Sequence, residues 1–366
     1  MNRKIKVGIT LGDYNGVGPE VALKAIADEM ITDLITPVLF GPERILEKTR
    51  NELGIEMPTY EVVRSVSDVK DGKINIVDIK CGECPVSPGT PTAESGHAAV
   101  RALEAATVAL REGRIDVVVT APICKANVQS EEFSFPGHTE YFQDRFSDPE
   151  SPETKAQMIL FDQRMRVALV TTHLPIGAIS EAITKESVGD AIRRFDKVLR
   201  SDFGCERPRI AVLGLNPHCG DGGLLGSEEQ QSIIPAIREA SEKGILCFGP
   251  YAADGFFASE SWRKFDGVLA MYHDQGLAPF KALAGAGGVN FTAGLPIVRT
   301  SPDHGTAFDI AWKGGADPQS MREAIYAAID ILRSRLRYQQ AAANPLGRAK
   351  IERSVDKTVD LSKDSL

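Results

Sequence analysis

The chain has 366 residues, 43% hydrophobic and 25% charged, a balance that excludes general disorder and leaves room for two domains at ~150 residues each. Acidic residues outnumber basic ones by 50 to 42, for a net charge of −8, which speaks against nucleic acid as a partner. No apolar run approaches the ~18 residues of a membrane helix, and the basic start Met1-Asn2-Arg3-Lys4 reads as the edge of a first strand rather than a signal peptide. A cytoplasmic protein without membrane contact is expected.

Short apolar runs alternate with glycine or proline turns and helix-length segments. Strands are predicted at 5–10, 36–40, 74–77, 115–120, 156–161, 166–171, 209–213 and 267–271. Within 91–113, Ala99, Leu103, Ala106 and Leu110 recur on one helical face, and Gly113 supplies the stop. Val, Ile and Leu fill both faces of the strands, the mark of a sheet covered on both sides. The expected fold class is α/β, with two α/β/α layered domains and mixed, largely parallel sheets. Hinges at 120–122 and at the glycine-rich 285–288 make 1–121 together with 289–366 one domain and 122–288 a central one. From residue 341 the chain turns polar and reads as a peripheral helix or frayed end. The six cysteines (81, 84, 124, 205, 219 and 247) are expected as reduced thiols, with Cys81-Gly82-Glu83-Cys84 as a plain loop.

Open α/β sheets bind ligands at the carboxyl ends of their strands. His173, His218 and His273 each sit just past such an end. One histidine alone is more often a satisfied structural residue. Three at equivalent positions point to a shared divalent metal, because neutral imidazoles leave its charge intact and its coordination open, as catalytic sites require. His138 and His304 flank glycines in turns and read as ligand-contacting loop residues. His97 falls in the predicted helix and reads as structural.

The first strand runs into Gly12-Asp13-Tyr14-Asn15-Gly16-Val17-Gly18-Pro19-Glu20. Pro19 suits a first helical turn, so this strand–loop–helix is a candidate anion site, although it lacks the GxGxxG dinucleotide fingerprint. Lys281, Asn290 and Arg299 surround the second glycine-rich segment, where basic side chains and backbone N–H groups could hold a phosphate.

Several motifs together resemble the 4-hydroxythreonine-4-phosphate dehydrogenase family of vitamin B6 synthesis. They are Gly137-His138-Thr139-Glu140, Thr171-Thr172-His173-Leu174-Pro175, Gly214-Leu215-Asn216-Pro217-His218, Ala270-Met271-Tyr272-His273-Asp274-Gln275-Gly276 and Arg299-Thr300-Ser301-Pro302-Asp303-His304-Gly305-Thr306-Ala307. The first loop, and His304-Gly305-Thr306-Ala307 with Asp309-Ile310-Ala311, are also similar to segments of isocitrate and isopropylmalate dehydrogenases, which implies a related fold with its active site in the interdomain cleft at a dimer interface. The resemblance implies one divalent metal per site (Zn, Mg, Co or Mn) on His173, His218 and the partner's His273. It implies substrate contacts from His138, Thr139, Lys281, Asn290 and Arg299. NAD or NADP would lie along Gly12, Asp13, Gly16, Gly18, His304, Gly305, Thr306 and Asp309. Tyr14-Asn15 stands where the family usually carries Pro-Ala.

The expected reaction is oxidation of 4-phosphohydroxy-L-threonine to a β-keto acid that loses CO₂, with Asp254, Asp274 and Lys125 as candidate bases. Relatives with the same histidines oxidise four-carbon sugar-acid phosphates such as D-threonate or D-erythronate 4-phosphate, which makes that substrate class the alternative. A three-histidine metal-dependent hydrolase and a non-catalytic metal or metabolite binder are the readings from other classes.

Overall fold

The computed structural model describes residues 3–130, 133–148 and 154–344. Twelve strands follow in chain order: β1 (Ile5–Thr10), β2 (Ile35–Gly41), β3 (Tyr60–Val63), β4 (Ile74–Asp78), β5 (Val117–Thr120), β6 (Gln157–Phe161), β7 (Arg166–Leu169), β8 (Arg209–Leu213), β9 (Leu246–Tyr251), β10 (Gly267–Ala270), β11 (Val289–Ala293) and β12 (Arg299–Pro302). They form one sheet in the order β3-β4-β2-β1-β5-β12-β11-β6-β7-β10-β8-β9. The separate sheets expected for two domains are therefore joined edge to edge. The joint is antiparallel: β11 pairs antiparallel with β12 on one side and with β6 on the other, and β6 pairs antiparallel with β7. The flanking blocks are parallel, β3 through β12 in the first half and β7-β10-β8-β9 in the second.

The all-apolar strands are buried on both faces, as their composition demands. In β5, Val117 and Val119 join one core cluster and Val118 the other. The predicted 91–113 helix is found at Ala93–Arg111, with Thr92 and Ser95 forming a reciprocal capping box. His97 is exposed on it. Helix Gln319–Ala342 packs on β12, β5 and β11, and the remainder of the polar tail, 345–366, lies outside the described residues. No helix among the described residues is long and apolar enough to cross a membrane.

One cysteine expectation is corrected. Cys81 and Cys84 are joined in a disulfide, their Cα atoms 5.8 Å apart, within the range such a bond requires. Gly82 at φ 70° turns the chain tightly enough to bring them together. The other four thiols are free.

Candidate active site

Three parallel neighbours, β7, β10 and β8, end side by side, and each carries a histidine beyond its end. Hydrogen bonds tie the three exits together. Thr171 Oγ1 donates to the Met271 carbonyl at 2.8 Å. Gln275 accepts from the Met271 N–H at 2.7 Å and donates to the Gly214 carbonyl at 2.6 Å. Buried Glu229 accepts from the N–H groups of Leu215 and Asn216, both at 2.7 Å, and so fixes the loop that bears His218. That loop is left-handed at His218 (φ 53°) and Cys219 (φ 53°). The sequence reading missed Thr171, Gln275 and Glu229, although the first two lie inside the motifs it quoted.

A cavity of about 230 Å³ opens over β5, β12, β11 and β6. All five expected substrate residues line it: His138, Thr139, Lys281, Asn290 and Arg299. His173, His273, Lys125, His304 and Gly305 also line it, together with Thr120, Glu140, Ser301 and Asp303, which the sequence reading did not single out. His218, Asp254, Asp274, Thr306 and Asp309 are absent from its wall. Asp274 is exposed and binds its neighbour His273 at Nδ1, 2.7 Å away. Asp254 is exposed on the short helix Ala253–Ala258.

Arg299 is the buried cation of this wall. It is 2% exposed and donates twice to Thr120 Oγ1 (2.6 and 3.0 Å) and once to Thr292 Oγ1 (3.0 Å). Burial lowers its pKa to about 9, against a smaller opposing effect of Glu140. Burial, with Arg299 and Lys125 nearby, holds His138 well below the usual histidine range, so its imidazole is neutral at pH 7. The Lys281 ammonium donates to the Asp303 carbonyl at 2.9 Å. Four buried polar atoms of this wall have no partner: His138 Nε2, Glu140 Oε2, Asn290 Oδ1 and His304 Nε2. Unsatisfied buried groups are uncommon, and four around one cavity mark a site built for a polar ligand.

The donor set also suits a divalent ion, in part. His173 Nδ1 lies 3.0 Å from Glu140 Oε1, and its ring centroid is 6.0 Å from that of His273. Each imidazole thus engages a carboxylate through Nδ1 and keeps Nε2 available, the usual arrangement of ligating histidines. Among the described residues of one chain, however, no group of three or more His, Cys, Asp or Glu is close enough to hold a metal.

The first glycine loop sits beneath the cavity instead of in its wall. Gly12 has φ 63°, and a Cβ there would fall 2.1 Å from the Pro122 carbonyl oxygen; one on Gly18 would fall 2.1 Å from that of Leu11. Asp13 is fully buried, and its carboxylate accepts from the Asn15 N–H (2.9 Å) and from Asn127 Nδ2 (2.7 Å). The Val17 N–H donates to the Thr306 carbonyl at 3.0 Å, which backs the His304–Gly305 rim. Tyr14 and Asn15 are structural: Tyr14 OH donates to the Pro85 carbonyl (3.2 Å), and Asn15 binds the backbone of Ser87, Gly89 and Thr90. Burial raises the Tyr14 pKa to about 12.

The family model of pyridoxal phosphate biosynthetic protein PdxA matches residues 33–328. A 4-hydroxythreonine-4-phosphate dehydrogenase of Bacteroides thetaiotaomicron is 52% identical over 353 residues, 96% of each chain. A protein of Oceanobacillus iheyensis, provisionally named a D-threonate 4-phosphate dehydrogenase, is 38% identical over 90% of this chain and 99% of its own. The crystal structure of 4-hydroxythreonine-4-phosphate dehydrogenase from Klebsiella pneumoniae superposes with a TM-score of 0.77 at 33% identity, covering 90% of this chain and 98% of that one. This chain belongs to the PdxA family of pyridoxal phosphate biosynthetic proteins.

Proposed function

We propose that this chain oxidises 4-phosphohydroxy-L-threonine with NAD or NADP, forming 2-amino-3-oxo-4-phosphooxybutanoate, which decarboxylates to 3-amino-2-oxopropyl phosphate for pyridoxal 5′-phosphate synthesis. The observation that carries this reading is the cationic end of the cavity, where Arg299 and Lys281 stand beside neutral His138 and unpartnered Asn290 Oδ1. A phosphate dianion supplies acceptors for Arg299 and Lys281 and for a proton on His138 Nε2. Thr139 and Asn290 then orient the carbon chain toward His173, at the proposed metal end of the cavity.

His173 and His218 of one subunit, with the partner's His273, would hold the divalent metal. Exposed Leu174, Ile176, Leu224 and Leu225 border the first two histidines and offer an apolar face for a two-fold partner. When bound, the ion supplies Lewis-acid stabilisation of negative charge on the reacting oxygen. Lys125 is the candidate base that lines the cavity of a single chain, beside His138 and Glu140; in its neutral amine form it would take up the hydroxyl proton. His304, with its buried unpartnered Nε2, and Gly305 form the rim nearest the expected nucleotide. Gly12, Asp13, Gly16 and Gly18, with Thr306 and Asp309, remain the residues assigned to the nucleotide; the Val17 N–H and Gly16 join this loop to Thr306, next to that rim.

The Oceanobacillus relative favours a second reading, oxidation of D-threonate 4-phosphate or its erythronate counterpart. Turnover with both substrate classes, followed through reduced nicotinamide absorbance, separates the two. A kcat/KM at least tenfold higher for 4-phosphohydroxy-L-threonine is expected, and the reverse order would replace the first reading with the second.

A further inference from the structure

Within one chain, His173 lies in a segment with little packing: Leu174, Pro175, Ile176 and Gly177 are all exposed, Leu174 and Ile176 on the face proposed above for the partner subunit. An imidazole there has a free ring torsion and two tautomers. Glu140 meets this ring. It occupies the first turn of helix His138–Phe146, and its Oε1 reaches His173 Nδ1 across 33 residues of chain at 3.0 Å. An ionised carboxylate only accepts, so a neutral imidazole in this contact carries its proton on Nδ1 and its lone pair on Nε2, on the far side of the ring. The other carboxylate oxygen, Oε2, is buried without a partner. The contrast with His273 is informative: its carboxylate, Asp274, is the adjacent residue and is 80% exposed, so it imposes little of the surrounding fold on the ring.

We propose that Glu140 is the positioning residue of the site, fixing the tautomer and the aim of His173. The same helical turn carries His138 and Thr139, so a single rigid element sets the distance between the phosphate end and the histidine end of the cavity. The inference rests on the reading of His173 as a metal ligand, and its test separates the two.

Full-length protein with ¹⁵N-labelled histidines is stripped of metal, and the His173 signals are assigned by their loss in His173→Ala. In the native protein the proton is expected on Nδ1. In Glu140→Ala the Nε2–H form, which water favours, is expected to become the larger population. Glu140→Gln keeps an acceptor oxygen and is expected to retain the native tautomer, whereas Glu140→Leu, which restores bulk alone, is expected to behave as alanine does. Zinc affinity, read by competition with a chromophoric chelator, is expected to weaken 10- to 100-fold in Glu140→Ala and Glu140→Leu. The weakening in Glu140→Gln is expected to be no more than about tenfold.

A native His173 with its proton on Nε2 would overturn the proposal without recourse to any variant. So would leucine rescuing as well as glutamine, because bulk would then suffice. If His173→Ala weakens zinc binding and Glu140→Ala does not, the positioning role fails and the metal assignment stands. If His173→Ala binds zinc as the native protein does, the metal assignment fails and takes the inference with it.

Discussion

Replacing Arg299 with methionine asks whether the cavity holds a cation in wait for an anion. The guanidinium is 2% exposed, and its hydrogen-bond acceptors are two neutral hydroxyls. Burial depresses its pKa to about 9, so the free protein carries this charge at a cost. Replacing buried charges by apolar side chains of similar volume is typically neutral or stabilising by about 1–4 kcal/mol, and the three hydrogen bonds, worth about 1 kcal/mol each, pull the balance toward the lower end. Arg299→Met is therefore expected to leave the ligand-free protein as stable as the native one, or up to about 2 kcal/mol more stable. Arg335 is the internal control. Its guanidinium pairs with both oxygens of buried Asp202, at 3.0 and 2.7 Å, so Arg335→Met strands a carboxylate and should cost about 3–5 kcal/mol. The assay is thermal unfolding in phosphate-free buffer and again with inorganic phosphate. At a hundredfold excess over its dissociation constant, phosphate stabilises by about 2.7 kcal/mol, and that gain should be absent from Arg299→Met. Destabilisation of Arg299→Met to the extent of Arg335→Met, or an undiminished phosphate effect, would refute the reasoning.

His138 carries a pH signature. Because its folded pKa lies well below 6.5, the unfolded chain binds the extra proton first as pH falls, so stability declines below pH 6.5 by up to about 1.4 kcal/mol per pH unit from this group. His138→Asn should lose less stability than the native protein between pH 7.5 and 5.5 in ligand-free buffer; equal losses would contradict the assignment. The shared site is tested by complementation: His218→Ala and His273→Ala are each expected to be inactive, and to recover about a quarter of native activity after subunit exchange. The quarter follows because random pairing makes half the dimers mixed, each with one intact site. Verified exchange without activity would place all three histidines in one chain.

The strand ends that carry the histidines were legible because β7, β8 and β10 are buried and almost purely aliphatic, so their exits stand out from composition alone. The four strands that escaped prediction are β3, β9, β11 and β12. The last two lie at the centre of the sheet, where strands are ordinarily the easiest to read. Their sequences, VNFTA and RTSP, place Asn290, Thr292, Arg299 and Ser301 where a plain core strand would carry apolar residues. The cavity floor needs those polar groups, and function has erased the periodicity that would have revealed the strand. Glu140 was quoted in a motif and passed over for a different reason. Its role depends on a contact with His173 that no local spacing encodes.

At the glycine loop 12–18, spacing alone leaves the close approach of neighbouring backbone unread. Glycine permits close approach by anything, and a sequence does not say whether a ligand or another stretch of backbone comes near. Here it is backbone: the Leu11 and Pro122 carbonyls occupy the space a side chain would need at Gly18 and Gly12. Asp13, an apparent ligand-facing acid, is consumed within the fold by Asn15 and Asn127. The departure at Tyr14-Asn15 follows from the same packing. Tyr14 shares a buried cluster with Ile45, Cys84 and Ala98, and Asn15 hydrogen-bonds the 87–90 turn, so the pair anchors the loop that carries the disulfide. In this chain these two positions are bound to that loop and have no part in the cavity wall. Substitution there should act first on stability and reach the site only through Thr306 and the His304 rim.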